Sequence, residues 1–219
     1  MVSAPARFGK LAKQPVTQKE WISERVVEVP WVLRHLKKGQ RTVDVGCAEN
    51  AYLGRLFRRV GFLYGIVTRP CPFRHRRFRF RWANIARRTP FRSGFFKQIV
   101  CISTLKHIGL KAYGNPPFPQ GDLHALRQMY RLLAPDGRLL LTIPFGQREF
   151  HGWFKVYDSK QWDRLLNKTQ FKIREEACFK YVRSQVHYWP CRRQDLQSVG
   201  YGKNRAHGVL CTVLVKERT

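Results

Sequence analysis

The residues best equipped for chemistry lie between Thr42 and Asn50, where the apolar run Thr42-Val43-Asp44-Val45 enters Gly46-Cys47-Ala48-Glu49-Asn50. A strand ending in glycine lets the backbone turn sharply, and the helix beyond it offers unpaired N–H groups to a polar ligand. Nucleotide-like cofactors are gripped this way, so the loop nominates a cofactor site. Ala48 and Asn50 stand where further glycines would admit a closer backbone approach, which makes the cradle narrow. Glu49 is the one acid left in the loop beyond Gly46. It either touches the ligand or caps the following helix.

A second chemistry is written in arginine. Residues 69–92 hold nine arginines, Arg74, Arg76, Arg77 and Arg79 among them, interleaved with Phe73, Phe78, Phe80, Trp82 and Phe91. Alternating guanidinium and aromatic groups suit a surface that tracks phosphates and stacks bases. Simple strand alternation is the competing account, with Phe78, Phe80 and Trp82 turned inward and Arg77, Arg79 and Arg81 outward. Arg192 and Arg193, with Tyr188, Trp189, Lys203 and Arg205 nearby, form a second basic and aromatic cluster. It reads either as a phosphate-facing surface or as a solvated basic face.

Composition bounds what these groups serve. With 42 Lys and Arg against 14 Asp and Glu, the net charge is +28 over 219 residues, far more than solubility requires. An anionic partner is expected, RNA or DNA foremost. Hydrophobic content of 43% with 13% aromatic residues supports one well-buried domain and excludes a chain disordered throughout. No apolar run approaches the roughly 18 residues of a membrane span, and the N-terminus lacks a secretory core, so the expected location is cytoplasmic. The six cysteines include no C-x-x-C pair, so no metal site or disulfide framework is expected, and buried reduced thiols are.

The elements that must position these residues follow from periodicity. Residues 1–17 read as a flexible basic arm, and 18–219 as a single domain. Gln18–Lys38 has helical spacing interrupted by Pro30, which predicts a kinked or split helix. Arg41–Gly46, Ala51–Val60 and Phe62–Thr68 make a strand, helix and strand, followed by strands at Arg77–Trp82 and Gln98–Ser103. The Ile99-Val100-Cys101-Ile102 run is apolar enough to be buried on both faces, which predicts a mostly parallel sheet. Asp122–Leu133 is a helix ended by Ala134-Pro135-Asp136-Gly137, then Arg138–Ile143 a strand, Asp158–Leu166 a helix and Val209–Val215 a last strand.

With this order in place, the Leu132-Leu133-Ala134-Pro135-Asp136-Gly137 turn and the Leu139-Leu140-Leu141-Thr142-Ile143-Pro144 strand complete a pattern. So do Ser103-Thr104-x-x-His107-Ile108-Gly109-Leu110, Tyr113-Gly114, Gly121-Asp122 and Val156-Tyr157-Asp158. Over roughly residues 20–170 the chain resembles class I S-adenosylmethionine-dependent methyltransferases. The resemblance implies a Rossmann-like α/β fold, a mostly parallel seven-stranded sheet with helices on both faces, and S-adenosylmethionine as cofactor. It turns the loop carrying Asp44, Gly46, Cys47, Ala48 and Glu49 toward the methionine part, with Asp44 holding loop and ammonium. It places Thr68 beside the ribose, Asn84 beside the adenine amino group, and Ser103 at the end of strand four. The family's acid at the end of strand two is replaced by Val67, and Lys97 and Lys106 stand where resembling sequences carry acids.

Methyl transfer from a sulfonium is an in-line displacement that needs an aimed acceptor and sometimes a base. His107, just beyond strand four, is placed for that work, or is a structural histidine bonded to a loop carbonyl. His151, Trp153 and Tyr157 follow strand five, where they would serve as base or substrate wall, or simply pack. Asn115-Pro116-Pro117-Phe118 matches a tetrapeptide that holds planar amines, yet it stands more than ten residues beyond strand four, which favours a proline-stiffened loop. The expected function is methylation of an anionic acceptor. The alternatives are a catalytically inactive methyltransferase-like fold that binds nucleic acid, and methylation of a small acidic metabolite or a sugar.

Overall fold

The computed structural model describes residues 23–47, 52–71, 73–202 and 205–218. The arm expected over residues 1–17 lies outside them. Among the described residues four α-helices are formed, α1 (Arg25–His35), α2 (Leu53–Val60), α3 (Gly121–Leu132) and α4 (Ser159–Asn167). The strands are β1 (Thr42–Val45), β2 (Leu63–Val67), β3 (Phe78–Trp82), β4 (Phe96–Ile102), β5 (Leu133–Pro144), β6 (Glu149–Phe150), β7 (Lys155–Val156), β8 (Lys172–Val182), β9 (His187–Cys191) and β10 (Gly208–Val215).

Eight strands form one sheet in the order β3-β2-β1-β4-β5-β10-β8-β9, and β6 and β7 pair separately. β1 to β5 are mutually parallel, while β10 runs antiparallel to both β5 and β8. The count corrects the seven strands implied by the resemblance. The additional strand is β9, which returns along the outer edge of β8. Neither strand is obvious in the sequence, because β8 lies one strand in from the edge and tolerates the charged stretch Arg174-Glu175-Glu176.

The central strands are buried on both faces, as their apolar runs require. Ile99 and Cys101 of β4 face the core with Leu126 and Met129 of α3, and Trp162 of α4. Val100 and Ile102 face the other core, with Val29 and Val32 of α1, and Leu56 and Val60 of α2. α1 is one helix with Pro30 inside it, where a kinked or split helix is predicted. Pro30 is exposed, so the hydrogen bond it cannot make falls on the water side. Asp158 caps α4 by accepting from the Gln161 N–H at 2.6 Å. Phe96 stands opposite Leu133 and Gln98 opposite Arg138, so Ala134–Gly137 bulges out of β5 as the turn expected there.

The alternation expected in β3 holds only in part. Phe78 is buried and Phe80 half-buried, but Trp82 is 69% exposed, its indole N–H donating to the Thr68 carbonyl at 2.9 Å. β3 is the edge strand, so its far end has no neighbour to cover that ring.

Candidate active site

In an open parallel sheet, ligands bind outside the carboxyl ends of the strands where the strand order reverses, here between β1 and β4. A cleft of about 580 Å³ opens there. Val45 and Gly46 from the end of β1, Ile66 to Arg69 from β2, Ala83 to Ala86 beyond β3, and Ile102 to Thr104 from β4 form its floor. Residues 107–118 close one side.

Gly46 turns the loop with φ +92°, a conformation that favours glycine. A β-carbon there would lie 2.6 Å from Cγ2 of Thr104, so the loop packs against the end of β4 only without a side chain. Asp44 is fully buried on β1 and does not line the cleft. Burial and the nearby Asp44 charge raise the Cys47 thiol well above its ordinary value, and push Cys101 up to about 12. Both thiols are buried, as are Cys71, Cys178 and Cys211, with Cys191 partly exposed. Ala48 and Glu49 lie outside the described residues.

Two hydroxyls at the cleft have no hydrogen-bond partner among the described residues. Tyr52, 6% exposed at the start of α2, and Ser103, 2% exposed at the end of β4, each line the cleft with an unpaired side-chain oxygen. A buried hydroxyl without a partner costs about 1–3 kcal/mol, so such groups mark a place where a ligand completes the bonding. Ser103 also adopts φ +50°, a rare conformation for a residue with a side chain. The N-terminus of α2 has no side-chain cap and no acid in its first turn. Sequence reasoning found Ser103 but passed over Tyr52, whose signal is its place at the start of the helix that follows the glycine loop.

On the opposite wall, Val67 occupies the end of β2 and offers no acceptor. The Thr68 hydroxyl accepts from the Asn115 side-chain amide at 2.9 Å, and Asn84 Oδ1 accepts from the Ala86 N–H at 2.9 Å. The lining residues described include Arg25, Arg55 and Arg69 and no carboxylate. Arg25 is held by Glu28 at 2.5 Å, and Arg69 stacks its guanidinium 4.3 Å over the Tyr113 ring. Lys97 and Lys106 do not line the cleft. Lys97 donates to the Pro135 carbonyl at 2.8 Å, and Lys106 pairs with buried Glu24 at 3.2 Å.

His107 lines the cleft and packs its ring against Trp153, centroids 4.8 Å apart. Its Nδ1 lies 2.8 Å from the Trp153 carbonyl, which makes that nitrogen the donor and leaves Nε2 with a lone pair, 3.5 Å from the Tyr113 hydroxyl. Burial lowers its pKa to about 4, so the ring is neutral at pH 7. His151 and Tyr157 are not brought to the cleft. His151 meets Glu149 at 2.6 Å and stacks on Phe154, while Tyr157 is fully buried and donates to Asp122 and the Leu105 carbonyl, each at 3.3 Å.

The two arginine clusters lie toward opposite edges of the sheet. Arg77 and Arg79 sit at β3, with guanidiniums over Phe57 and Phe62, and Arg74 lies over Phe80 while donating to the Cys71 carbonyl. Arg76 is exposed beside them. Arg192 and Arg193 follow β9, where Arg192 pairs with Asp195 at 3.4 Å and Arg193 with Asp163 at 2.6 Å and Glu176 at 3.6 Å. Among the described residues no group of three or more His, Cys, Asp or Glu converges as metal ligands would, and no helix is long and apolar enough to cross a membrane.

Sheet order, helices on both faces and a cleft at the switch point define a Rossmann-like α/β protein of the class I methyltransferase type. The profile of the methyltransferase domain family matches residues 18–176, and the chain belongs to that family. No curated protein matches it. Among solved structures, a Burkholderia thailandensis 1,6-didemethyltoxoflavin-N1-methyltransferase, with 1,6-didemethyltoxoflavin and S-adenosylhomocysteine bound, is similar at TM-score 0.62 and 13% identity, over 90% of this chain and 80% of that one. A methyltransferase in complex with the Haloferax volcanii activator Trm112 is similar at TM-score 0.60 and 12% identity, over 87% and 89%. The [4+2]-cyclase SpnF is similar at TM-score 0.60 and 17% identity, over 87% and 80%. At these identities the likeness shows the fold, and the cyclase illustrates that one fold hosts different reactions.

Proposed function

We propose that the protein is an S-adenosylmethionine-dependent methyltransferase whose acceptor is anionic, with nucleic acid the favoured class. The observation that carries the cofactor reading is the pair of buried hydroxyls, Tyr52 and Ser103, left without partners in a cleft at the switch point. They and the uncapped start of α2 fit the polar end of the cofactor, and Asn84 fits the adenine side. Thr68 is left to meet the ribose. When bound, the cofactor supplies an electrophilic methyl group on a sulfonium.

The chain's own part is to orient and to exclude water. The Trp153 carbonyl fixes the His107 ring, so that Nε2 can accept a hydrogen bond from the acceptor and align it. A pKa of about 4 suits alignment better than strong base catalysis at neutral pH. Arg55, exposed at the cleft with no carboxylate partner among the described residues, favours an acceptor that brings negative charge.

Calorimetric titration of S-adenosylmethionine and S-adenosylhomocysteine into nuclease-treated protein tests the reading. Micromolar binding, weakened about tenfold by Tyr52→Phe and by Ser103→Ala, supports it. These variants are expected to match or exceed the parent in thermal stability without ligand, since each removes an unsatisfied hydroxyl. No binding at millimolar ligand by folded protein sinks it.

Val67 favours a second reading, a fold that keeps the architecture and binds nucleic acid without catalysis. Forgoing a charge-assisted hydrogen bond to the ribose costs about 1.5–3 kcal/mol, roughly ten- to a hundredfold in affinity. The same titration separates the two readings.

A further inference from the structure

Of the arginines that line the cleft, Arg55 opens onto a surface that the sequence does not make conspicuous. Arg34 from α1 and Arg55, Arg58 and Arg59 from α2 line a shallow open groove of about 640 Å³ together with Pro30 and Leu33. Arg55, Arg58 and Arg59 follow i, i+3, i+4 spacing and so share one face of α2. All four are exposed, and none pairs with a carboxylate among the described residues. Arg55 also lines the cleft, so the groove and the cleft are continuous through one side chain. By contrast Arg193 is spent on two carboxylates and Arg192 on a third, at the far edge of the sheet.

We propose that this α1–α2 groove holds the phosphodiester backbone of a single-stranded nucleic acid, and that the strand passes Arg55 to reach the cleft. The inference rests on the nucleic-acid reading of the acceptor and assigns its path. Guanidinium forks match phosphate oxygens in pairs, and four cations unopposed by acid make a surface complementary to a polyanion. The unpaired form follows from what stands around the cleft. Trp82, 69% exposed at the end of β3 with its indole N–H on the Thr68 carbonyl beside the cleft, offers a ring face to a splayed base, which a paired helix keeps stacked inside.

The test is fluorescence anisotropy of a short labelled oligouridine against the full-length, nuclease-treated protein at several salt concentrations. Arg58→Glu/Arg59→Glu is expected to weaken binding more than about tenfold. It should also flatten the dependence of log K on log salt by about two or more, near one for each phosphate no longer neutralised. Arg34→Ala, from the other wall, is expected to weaken binding severalfold. Arg76→Glu/Arg79→Glu at the β3 edge is expected to stay within about threefold. All the replaced side chains are solvent-facing, and unchanged melting temperatures verify folding.

Loss confined to the β3-edge variant overturns the path while leaving a nucleic-acid acceptor in place. Equal binding by the parent and the groove variants does the same. Absence of parent binding to oligouridine, and to labelled oligothymidine assayed alongside it, removes both the path and the nucleic-acid reading. Tighter binding of a duplex overturns the single-strand assignment, and equal binding of polyglutamate with the same arginine dependence reassigns the groove to an acidic protein.

Discussion

Gly46 and His107 show how single residues at the cleft convert local geometry into measurable behaviour. At Gly46, alanine would adopt an unfavourable left-handed backbone and meet the Thr104 side chain. Gly46→Ala is expected to lower stability by about 2 kcal/mol or more and to abolish ligand binding. Adding Thr104→Ala should recover part of the stability, because it removes the steric part but not the backbone part. Chemical denaturation of the single and double variants checks this. At His107, the folded pKa of about 4 lies below the ordinary value of 6.5. The unfolded chain therefore binds a proton that the folded one refuses between these values. Stability is fully present above pH 6.5 and falls as pH drops toward 4, by at most about 3 kcal/mol. The urea midpoint followed from pH 7 to pH 4 should drop less steeply in His107→Phe than in the parent.

The elements are joined by a few buried polar clamps that apolar pattern does not foretell. Glu28, fully buried on α1, accepts from Arg25 at 2.5 Å and from the Thr142 hydroxyl at 2.8 Å, which fastens α1 to β5. Thr142→Val is expected to cost about 1–2 kcal/mol, since it deprives a buried carboxylate of a donor. Glu28→Ala, which leaves the buried Thr142 hydroxyl without its acceptor and the partly exposed Arg25 to water, should cost about 1–3 kcal/mol. A second clamp joins α3 to β7 and the chain just beyond it, where Asp122 accepts from Lys155 at 2.5 Å and from Tyr157. Burial and the Asp122 charge raise the Tyr157 hydroxyl far above its ordinary pKa, so it remains a donor at any working pH. Tyr157→Phe is expected to lower stability by about 1 kcal/mol and to leave cofactor affinity within twofold in the same calorimetric titration.

Across the whole molecule the dominant quantity is charge. A formal charge of +28 over 219 residues repels itself, and that repulsion is screened by salt. Raising sodium chloride from about 0.02 to 0.5 M is expected to raise the melting temperature, and oligouridine should do so at micromolar concentration by binding the folded state. Differential scanning fluorimetry reads both, and a melting temperature independent of salt would contradict the account. The distribution of charge matters as much as its sum. Arg74, Arg77 and Arg79 toward one edge of the sheet lie over aromatic rings and Arg192 and Arg193 toward the other meet carboxylates, while among the described residues no carboxylate pairs with the arginines on the outer face of α2.

Much of this was legible from residue order. The β1 glycine loop, the unbroken apolar run of β4 and the 3.6-residue period of the helix Gly121–Leu132 are local patterns, and local patterns specify local structure. Together with the methyltransferase-like motifs they determined the fold class and placed the cleft at the glycine loop, with Ser103, Thr68, Asn84 and His107 around it. What tertiary structure alone decided is which polar groups meet. Asp44 went beneath the cleft rather than into it, Tyr157 into the Asp122 clamp, and His151 against Glu149. Arg193 found Asp163 and Glu176 across the fold. The unpartnered Tyr52 hydroxyl and the groove around Arg55 emerged only where separate elements converge. Apolar patterning repeats along the chain and can be read there. A polar side chain's role is set by the one or two atoms that reach it, and those come from residues tens of positions away.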